Sequence, residues 1–316
     1  MKLGVIGLGR MGRFRLEQLR LFDEAEAVIG CDPDAAARER SRELVGRTTS
    51  VIDDVWSAPG LDAVLIASSP DSQISLIRAA TERGLRVAVE MPLAISADLQ
   101  ELSTAEHVLV LHDPESDTDW ALAQHLVDSM SLGDVRNVRY VSRELRLPES
   151  HGVSLNRSVR MEHGILERFA PSLFARLFRL IATPESAFGR VFRDASGIET
   201  GFAAFFADRA GRTASLEFRI DSLIGERSGW VIDGTLTTLS RKRLYSRLPD
   251  GEILDQPAGL DSDHDAHSAD LWWRRLNDRE SCRRSMMSAI WAATAVAAVR
   301  ESDRTGTAVT IAGRAD

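Results

Sequence analysis

The chain has 316 residues, of which 44% are hydrophobic and 27% are charged, which is the composition of an ordinary globular protein. A chain of this length can bury a large core and is expected to form two domains. Its formal net charge of -8 argues against a nucleic-acid partner or an anionic membrane surface, because either would favour a basic face.

The N-terminal residues have the pattern of a strand, a tight turn and a helix. An apolar run over 3–6 leads into Gly7, Gly9 and Gly12, and an amphipathic stretch follows over 10–22. In this arrangement Gly7 permits the turn, Gly9 lets the backbone approach a pyrophosphate, and Gly12 lets the helix pack closely on the sheet. The helix N-terminus would face the phosphate charge. This context favours a dinucleotide site over the alternative, a glycine-rich turn without a ligand.

A second apolar run over 27–31 ends at Asp32, about twenty residues after the last glycine, where an acid would accept hydrogen bonds from the adenosine ribose. Asp32 would repel a 2′-phosphate, and no arginine follows it immediately. Arg38 and Arg40 could reach back from the next helix. The pattern therefore predicts NAD as the cofactor in preference to NADP.

The rest of the first third alternates between strands and helices. The predicted elements are a strand over 61–67, a helix over 70–83, a strand over 86–90, a helix with Ser96 as its N-cap, and a strand over 107–111. Repeated strand–helix units imply a doubly wound parallel sheet with helices on both faces.

From about residue 113 onward the pattern changes. Glycine and aspartate split the apolar runs at short intervals, which suits adjacent antiparallel strands. The predicted elements are helices over 118–131, 163–181, 266–279 and 284–301, and strands over 135–141, within 188–247 and over 308–311. We therefore predict an α/β domain over 1–115 and an α+β domain with an open, mostly antiparallel sheet over 116–316.

Targeting and metal signals are weak. The N-terminus enters its first strand without a secretory leader, and the segment 286–299 is too short and alanine-rich to span a bilayer, so a cytoplasmic protein is expected. Cys31 and Cys282 give no CxxC pair or metal spacing. The segment 261–267 holds two histidines, but its acidic composition favours a loop over a metal site.

Three segments, 4–12, 62–70 and 84–94, resemble the glucose–fructose oxidoreductase / inositol dehydrogenase (Gfo/Idh/MocA) family, and the segments 131–135 and 306–310 also fit. The resemblance implies a Rossmann domain, a C-terminal α+β domain, a nicotinamide cofactor and sugar- or cyclitol-like substrates. It also implies assembly through the open face of the second sheet. The implied cofactor-binding residues are Gly7, Leu8, Gly9, Arg10, Met11, Gly12, Asp32, Ser68, Ser69, Glu90 and Met91.

The chain departs from the family at the positions that move the reacting proton. The family usually has Glu-Lys-Pro where this chain has Met91 before a proline, and a thioether cannot replace the ammonium. Ile74 stands where the family tends to have a histidine. On the helix that usually carries Asp and His one turn apart, this chain has Arg168 and Ser172. A slip of one residue would offer Glu167, but then a proline would replace the histidine.

Four residues are candidates for the missing catalytic groups. His163 could donate a proton, or it could be a surface histidine at a helix start. Arg168 could bind a substrate carboxylate or phosphate, or it could be a solvated arginine. Ser172 follows one turn later, and His112 ends the sixth strand at the carboxyl edge of the sheet, where ligands bind in such folds.

These observations leave three hypotheses about function. The first is an NAD(P)-dependent oxidoreductase that acts on a small polar sugar-, cyclitol- or imine-like substrate with a non-standard proton relay. The second is a catalytically silent dinucleotide-binding protein with a regulatory or scaffold role, and the third is redox-neutral chemistry that uses the cofactor internally. Because Phe202–Phe206 is apolar on both faces of its strand, a homodimer or homotetramer is expected.

Overall fold

The computed structural model describes residues 1–20, 23–93, 102, 106–111, 118–145, 164–181, 184–259 and 272–311. The chain divides into two compact units. The first contains Met1–Asp113 and Asp270–Ile290, and the second contains Pro114–Ala269 and Trp291–Asp316. Among the described residues, no helix has both the length and the apolar character needed to cross a membrane.

The first unit contains a parallel sheet of six strands in the order β3-β2-β1-β4-β5-β6. Its elements are β1 (Lys2–Ile6), α1 (Arg10–Leu19), β2 (Glu26–Cys31), α2 (Ala35–Ser41), β3 (Thr48–Thr49), α3 (Ile52–Trp56), β4 (Ala63–Ile66), α4 (Pro70–Thr81), β5 (Arg86–Glu90) and β6 (Val108–Leu111). This is the strand order of a Rossmann fold, which confirms the predicted fold class. The predicted helix that begins at Ser96 lies outside the described residues.

Both faces of this sheet are covered, which explains why its strands read as continuous apolar runs. All four residues of β4 and of β6 are buried. The chain moves from β1 to β2 in one direction along the sheet and from β4 to β5 in the other. Right-handed crossovers therefore place α1 and α4 on opposite faces.

The second unit contains a sheet of nine strands in the order β14-β13-β12-β11-β7-β10-β9-β8-β15. Adjacent strands are antiparallel except β7 and β10, so the predicted mostly antiparallel sheet is confirmed. Its elements are α5 (Thr118–Asp128), β7 (Val135–Leu145), α6 (Ile165–Leu180), β8 (Ser186–Arg193), β9 (Glu199–Ala207), β10 (Thr213–Arg219), β11 (Asp221–Gly234), β12 (Thr237–Ser240), β13 (Arg243–Arg247), β14 (Ile253–Pro257) and β15 (Val309–Thr310).

Helix α6 packs on one face of this second sheet. The ring of Phe174 lies edge-on to the rings of Phe202 and Phe206, with centroids 5.9 and 4.9 Å away. Phe205 points to the opposite face, where it is 46% exposed. Strand β9 thus has aromatic residues on both faces of the sheet, and the one on the face opposite α6 is partly exposed.

The segment that precedes and begins the last long helix belongs to the first unit. It contains α7 (Trp272–Arg275) and the start of α8 (Arg279–Thr305). Trp272 and Trp273 are buried in the core of the first unit, and Arg274 Nε donates to Glu24 Oε2 at 2.8 Å. The predicted boundary near residue 115 stays a prediction, and the first unit also includes this later segment.

Candidate cofactor and substrate sites

The glycine turn between β1 and α1 has two glycines that the protein itself requires. Gly7 has a φ of 93°, and a Cβ there would lie 2.6 Å from the carbonyl group of Ala67. A Cβ on Gly12 would lie 1.9 Å from the carbonyl oxygen of Gly7, so only glycine lets the helix approach the turn. A Cβ on Gly9 would meet no described atom within 4 Å. The space beside Gly9 is therefore open to a ligand.

The N-terminus of α1 is suited to an anion. Gly9 is its N-cap, none of the described side chains caps it, and its first turn contains no acidic residue. The first N–H groups of a helix have no intrahelical acceptor and carry partial positive charge. Arg10 is exposed and Met11 is half-buried in this turn. Open space and unpaired donors together fit a pyrophosphate.

Asp32 lies at the carboxyl end of β2, and backbone donors fix its carboxylate. The N–H of Leu8 donates to Oδ2 at 2.7 Å, and the N–H of Asp34 donates to Oδ1 at 2.8 Å. A carboxylate can accept about four hydrogen bonds, so both oxygens can still accept from ribose hydroxyls. The side chain of Leu8 is fully buried in the core, and its N–H already serves Asp32.

The two arginines near Asp32 are engaged within the protein. Arg38 Nη1 donates to the carbonyl oxygens of Asp32 and Pro33 at 2.7 and 2.9 Å. Arg40 Nη2 lies 3.8 Å from Asp34 Oδ2. Both contacts use Nη1, so turning the guanidinium of Arg38 towards a 2′-phosphate would break them.

The ends of β4 and β5 bring Ser68, Ser69 and Met91 to the same edge of the sheet. Ser72 Oγ donates to Ser68 Oγ at 2.8 Å and lies 2.9 Å from the carbonyl oxygen of Ser69. Met91 is half-buried, and its N–H donates to the carbonyl oxygen of Leu111 at 3.2 Å. These residues lie where ligands bind in open parallel sheets, at the carboxyl ends of the strands.

Glu90 has a different environment from that expected of a cofactor contact. It is 4% exposed, and Arg15 Nε donates to its Oε1 at 2.5 Å. Arg15 is itself fully buried on α1. The carboxylate of Glu90 therefore forms a buried ion pair inside the first unit, and a direct contact between Glu90 and the cofactor stays a prediction.

Arg168 and Ser172 lie one turn apart on α6 in the second unit. Arg168 is exposed, with its guanidinium 5.6 Å from the ring centroid of Phe169, and Ser172 is half-buried. Arginine and serine side chains do not ordinarily gain or lose a proton near neutral pH, so neither residue type is suited to act alone as a general base. That Arg168 and Ser172 stand in place of the family's usual acid and histidine stays a prediction.

Glu167, the alternative acid, forms an ion pair with Arg300. Arg300 Nε donates to Glu167 Oε1 at 2.9 Å, and Arg300 Nη1 also pairs with Glu199. Burial alone would lower the pKa of Arg300, but hydrogen bonds from the guanidinium to Glu167 and Glu199 raise that pKa above its ordinary value. Glu199 Oε2 also accepts from the N–H of Leu166 at 3.3 Å, which secures the start of α6.

His163 and His112 lie outside the described residues, as does the segment 261–267. In the part of the chain that the structure describes, no group of three or more His, Cys, Asp or Glu residues is arranged to hold a metal ion. Four residues with buried or paired polar groups are not predicted from the sequence: Arg15, Gln73, Glu199 and Arg300. A usable signal existed for Arg15, because it falls on the buried side of α1 beside Leu16 and Leu19.

Two curated relatives match about half of their own length. Myo-inositol 2-dehydrogenase of Thermotoga maritima is 27% identical over 152 residues, which cover 46% of each chain. Inositol 2-dehydrogenase of Rhizobium meliloti is 25% identical over 153 residues, again 46% of each chain.

Two solved structures are similar over nearly the whole chain. An oxidoreductase from Agrobacterium radiobacter, solved in complex with NAD+, L-tartaric acid and magnesium, has a TM-score of 0.81 at 19% identity and 98% coverage of both chains. A myo-inositol dehydrogenase from Corynebacterium glutamicum has a TM-score of 0.80 at 15% identity and 99% coverage of both chains. At these identities the similarity establishes the fold.

The family model that matches residues 1–110 describes an oxidoreductase family with an NAD-binding Rossmann fold. This segment contains the glycine turn, Asp32 and the parallel sheet, whose last strand, β6, ends one residue beyond it. Residues 1–110 therefore match the Gfo/Idh/MocA family model, and the chain is similar to inositol dehydrogenases over about half of their length.

Proposed function

We propose that the protein is an NAD(H)-dependent oxidoreductase that acts on a small polar carbonyl, hydroxyl or imine compound, with a proton relay that uses no lysine. The glycine turn carries this proposal, because its open space at Gly9 adjoins the uncapped end of α1 and the fixed carboxylate of Asp32. The relatives that act on inositol support a sugar- or cyclitol-like substrate, and an imine remains within the same class of small polar compounds.

The bound cofactor would supply hydride transfer, and the protein's part is to position the substrate and move a proton. Correct positioning alone can contribute several kcal/mol, on the order of 7–11 in favourable cases. A placed acid or base adds roughly 10²–10⁴-fold. Losing the family's lysine therefore slows a reaction without removing its main source of acceleration.

The candidates for the proton are His163, Ser172 and ordered water, while Arg168 is better suited to holding an anionic substrate group. His112 remains a second candidate histidine. Turnover tests this proposal directly. Sugar, inositol and imine panels are assayed for oxidation or reduction of nicotinamide, beside a calorimetric titration of cofactor.

A second function is favoured by the substitutions themselves. The family usually has a lysine, a histidine and an aspartate where this chain has Met91, Ile74 and Arg168. A protein that binds the dinucleotide for a regulatory or scaffold role would keep the cofactor site and would not need these three groups. Cofactor binding without turnover on every panel, in both the parent protein and Met91→Lys, would support this alternative.

The first prediction concerns the proton. His163→Ala is expected to lower turnover by roughly 10–10³-fold with unchanged cofactor affinity, because histidine is the candidate that titrates near neutrality. The control is His125→Ala, because His125 is an exposed histidine on α5, and this variant should be as active as the parent protein. Met91→Lys is expected to raise turnover. Full activity in His163→Ala would assign that histidine to the surface.

The second prediction concerns the cofactor. NAD+ is expected to bind more tightly than NADP+ by about tenfold or more, because Asp32 repels a 2′-phosphate and Arg38 is held by two carbonyl oxygens. Asp32→Asn should narrow the difference, since it removes the charge and keeps an acceptor. Calorimetric titration of both cofactors measures the ratio, and equal or tighter NADP+ binding would contradict the prediction.

The third prediction concerns assembly. We propose a homodimer or homotetramer built on the open face of the second sheet, where Phe188 and Phe205 are 39% and 46% exposed beside a groove of about 420 Å³. Light scattering at micromolar concentration should give a multiple of the chain mass. Phe205→Asp should shift the protein towards the monomer, whereas Val51→Asp, at an exposed position in the first unit, should not.

A further inference from the structure

Four residues of the first unit form a continuous polar chain, called here the Arg15–Ser68 chain. Arg15 Nε donates to Glu90 Oε1 at 2.5 Å, and Gln73 Nε2 donates to the carbonyl oxygens of Glu90 and Ser68 at 2.9 and 3.3 Å. Arg15, Gln73 and Glu90 are 0%, 1% and 4% exposed. The Arg15–Ser68 chain connects α1, the end of β5, the start of α4 and the end of β4.

The end of β5 is held from both faces of the sheet. Glu90 shares the α1 face with Ala88, and its side chain meets Arg15 there. Its carbonyl group meets Gln73 of α4, and α4 follows the opposite face. The N–H of Met91 then donates to Leu111 of β6. The side chain of Glu90, its carbonyl group and the next N–H are therefore held by α1, α4 and β6, respectively.

These contacts lie in one half of the proposed cofactor site. A dinucleotide crosses a Rossmann sheet at the point where the strand order reverses, here between β1 and β4. Asp32, which follows β2, would hold the adenosine ribose, so the nicotinamide half would extend over β4 and β5. Ser68 and Met91 follow these two strands.

Packing alone does not account for a glutamine at position 73. Its Oε1 is buried without a hydrogen-bond partner among the described residues, which is unfavourable. A leucine would fill a similar volume without this cost. The amide group is explained by its NH₂, which serves two carbonyl oxygens at two strand ends.

We propose that Gln73 is a positioning residue for the nicotinamide half of the cofactor site. It clamps the carbonyl groups of Ser68 and Glu90, and so sets the spacing between the ends of β4 and β5. It acts through Ser68 and Met91 and has no contact with the cofactor itself. This inference rests on the proposed binding of a dinucleotide.

The test compares NAD+ with ADP-ribose, which has the same adenosine and pyrophosphate groups and no nicotinamide. In Gln73→Leu, calorimetry is expected to give about a tenfold or greater loss of NAD+ affinity and less than about a twofold change for ADP-ribose. Ser75→Ala, on the exposed side of α4, is the control and should bind both ligands as the parent does. Equal losses for both ligands, or no loss, would overturn the inference.

Gln73→Glu gives a second readout that a packing role would not produce. A carboxylate cannot donate to the two carbonyl oxygens, whereas the protonated acid donates one hydrogen bond. Position 73 is 1% exposed, and burial raises the pKa of a carboxyl group, so NAD+ affinity of Gln73→Glu should rise, relative to the parent, as the pH falls from about 8 to about 5. A profile parallel to the parent's would overturn the inference even if Gln73→Leu failed to fold. A parent protein that binds neither ligand would overturn the proposed function as well.

Discussion

Replacing Gly9 with aspartate is expected to abolish dinucleotide binding and to leave the free protein as stable as the parent. The backbone at Gly9 has φ and ψ of -67° and -165°, which any residue adopts, and its Cβ position is open. A carboxylate there would face the pyrophosphate. Two like charges about 4 Å apart repel by roughly 4 kcal/mol near a protein surface, which corresponds to about 10³-fold in affinity.

The melting temperature separates this effect from damage to the fold. Aspartate is a favourable N-cap residue beside the positive end of a helix, so Gly9→Asp should melt at or slightly above the parent temperature. Gly12→Ala is the contrasting variant, because its Cβ would meet the carbonyl oxygen of Gly7, and it should lose both stability and binding. NAD+ binding by Gly9→Asp within about threefold of the parent would remove the glycine turn from the site.

The features that local sequence could predict are those with local causes. The strand, turn and helix around Gly7 and Gly12 depend on neighbouring residues, and β1 and α1 lie where the pattern predicts them. Asp32 was recognisable for the same reason, because it ends an apolar run at a fixed distance from the turn. Its bond with the N–H of Leu8 was not, since that contact depends on how two strands align.

Contacts between distant segments had no comparable signal. Arg15 and Glu90 are 75 residues apart, and the resemblance to the family predicts a cofactor contact for Glu90 without indicating this ion pair. Trp272 and Trp273 lie within the predicted helix over 266–279, but the unit to which they belong depends on long-range packing. On α6, the spacing of Arg168 and Ser172 follows from the helical pattern, whereas no local pattern indicates that Glu167 pairs with Arg300.

Arg15→Met is expected to lower the free energy of unfolding of the first unit by about 3–5 kcal/mol, because it leaves the carboxylate of Glu90 buried without its cation. The two side chains are 1% and 5% exposed, so water cannot replace the guanidinium without local opening. Urea unfolding followed by tryptophan fluorescence measures the change. Trp272 and Trp273 report on this unit, since both lie in its core.

The double variant Arg15→Met with Glu90→Leu shows whether the loss comes from the unpaired charge. Replacing both partners of a buried pair by apolar residues is often neutral or stabilising, so the double variant should recover most of the lost stability. Arg13→Met is the matched control on α1, because Arg13 is 36% exposed and pairs with Glu17 at the surface; a change within about 0.5 kcal/mol is expected. If Arg15→Met had the same free energy of unfolding as Arg13→Met, the prediction would be wrong. Glu90 would then tolerate burial without its cation, and the ion pair would not stabilise the end of β5.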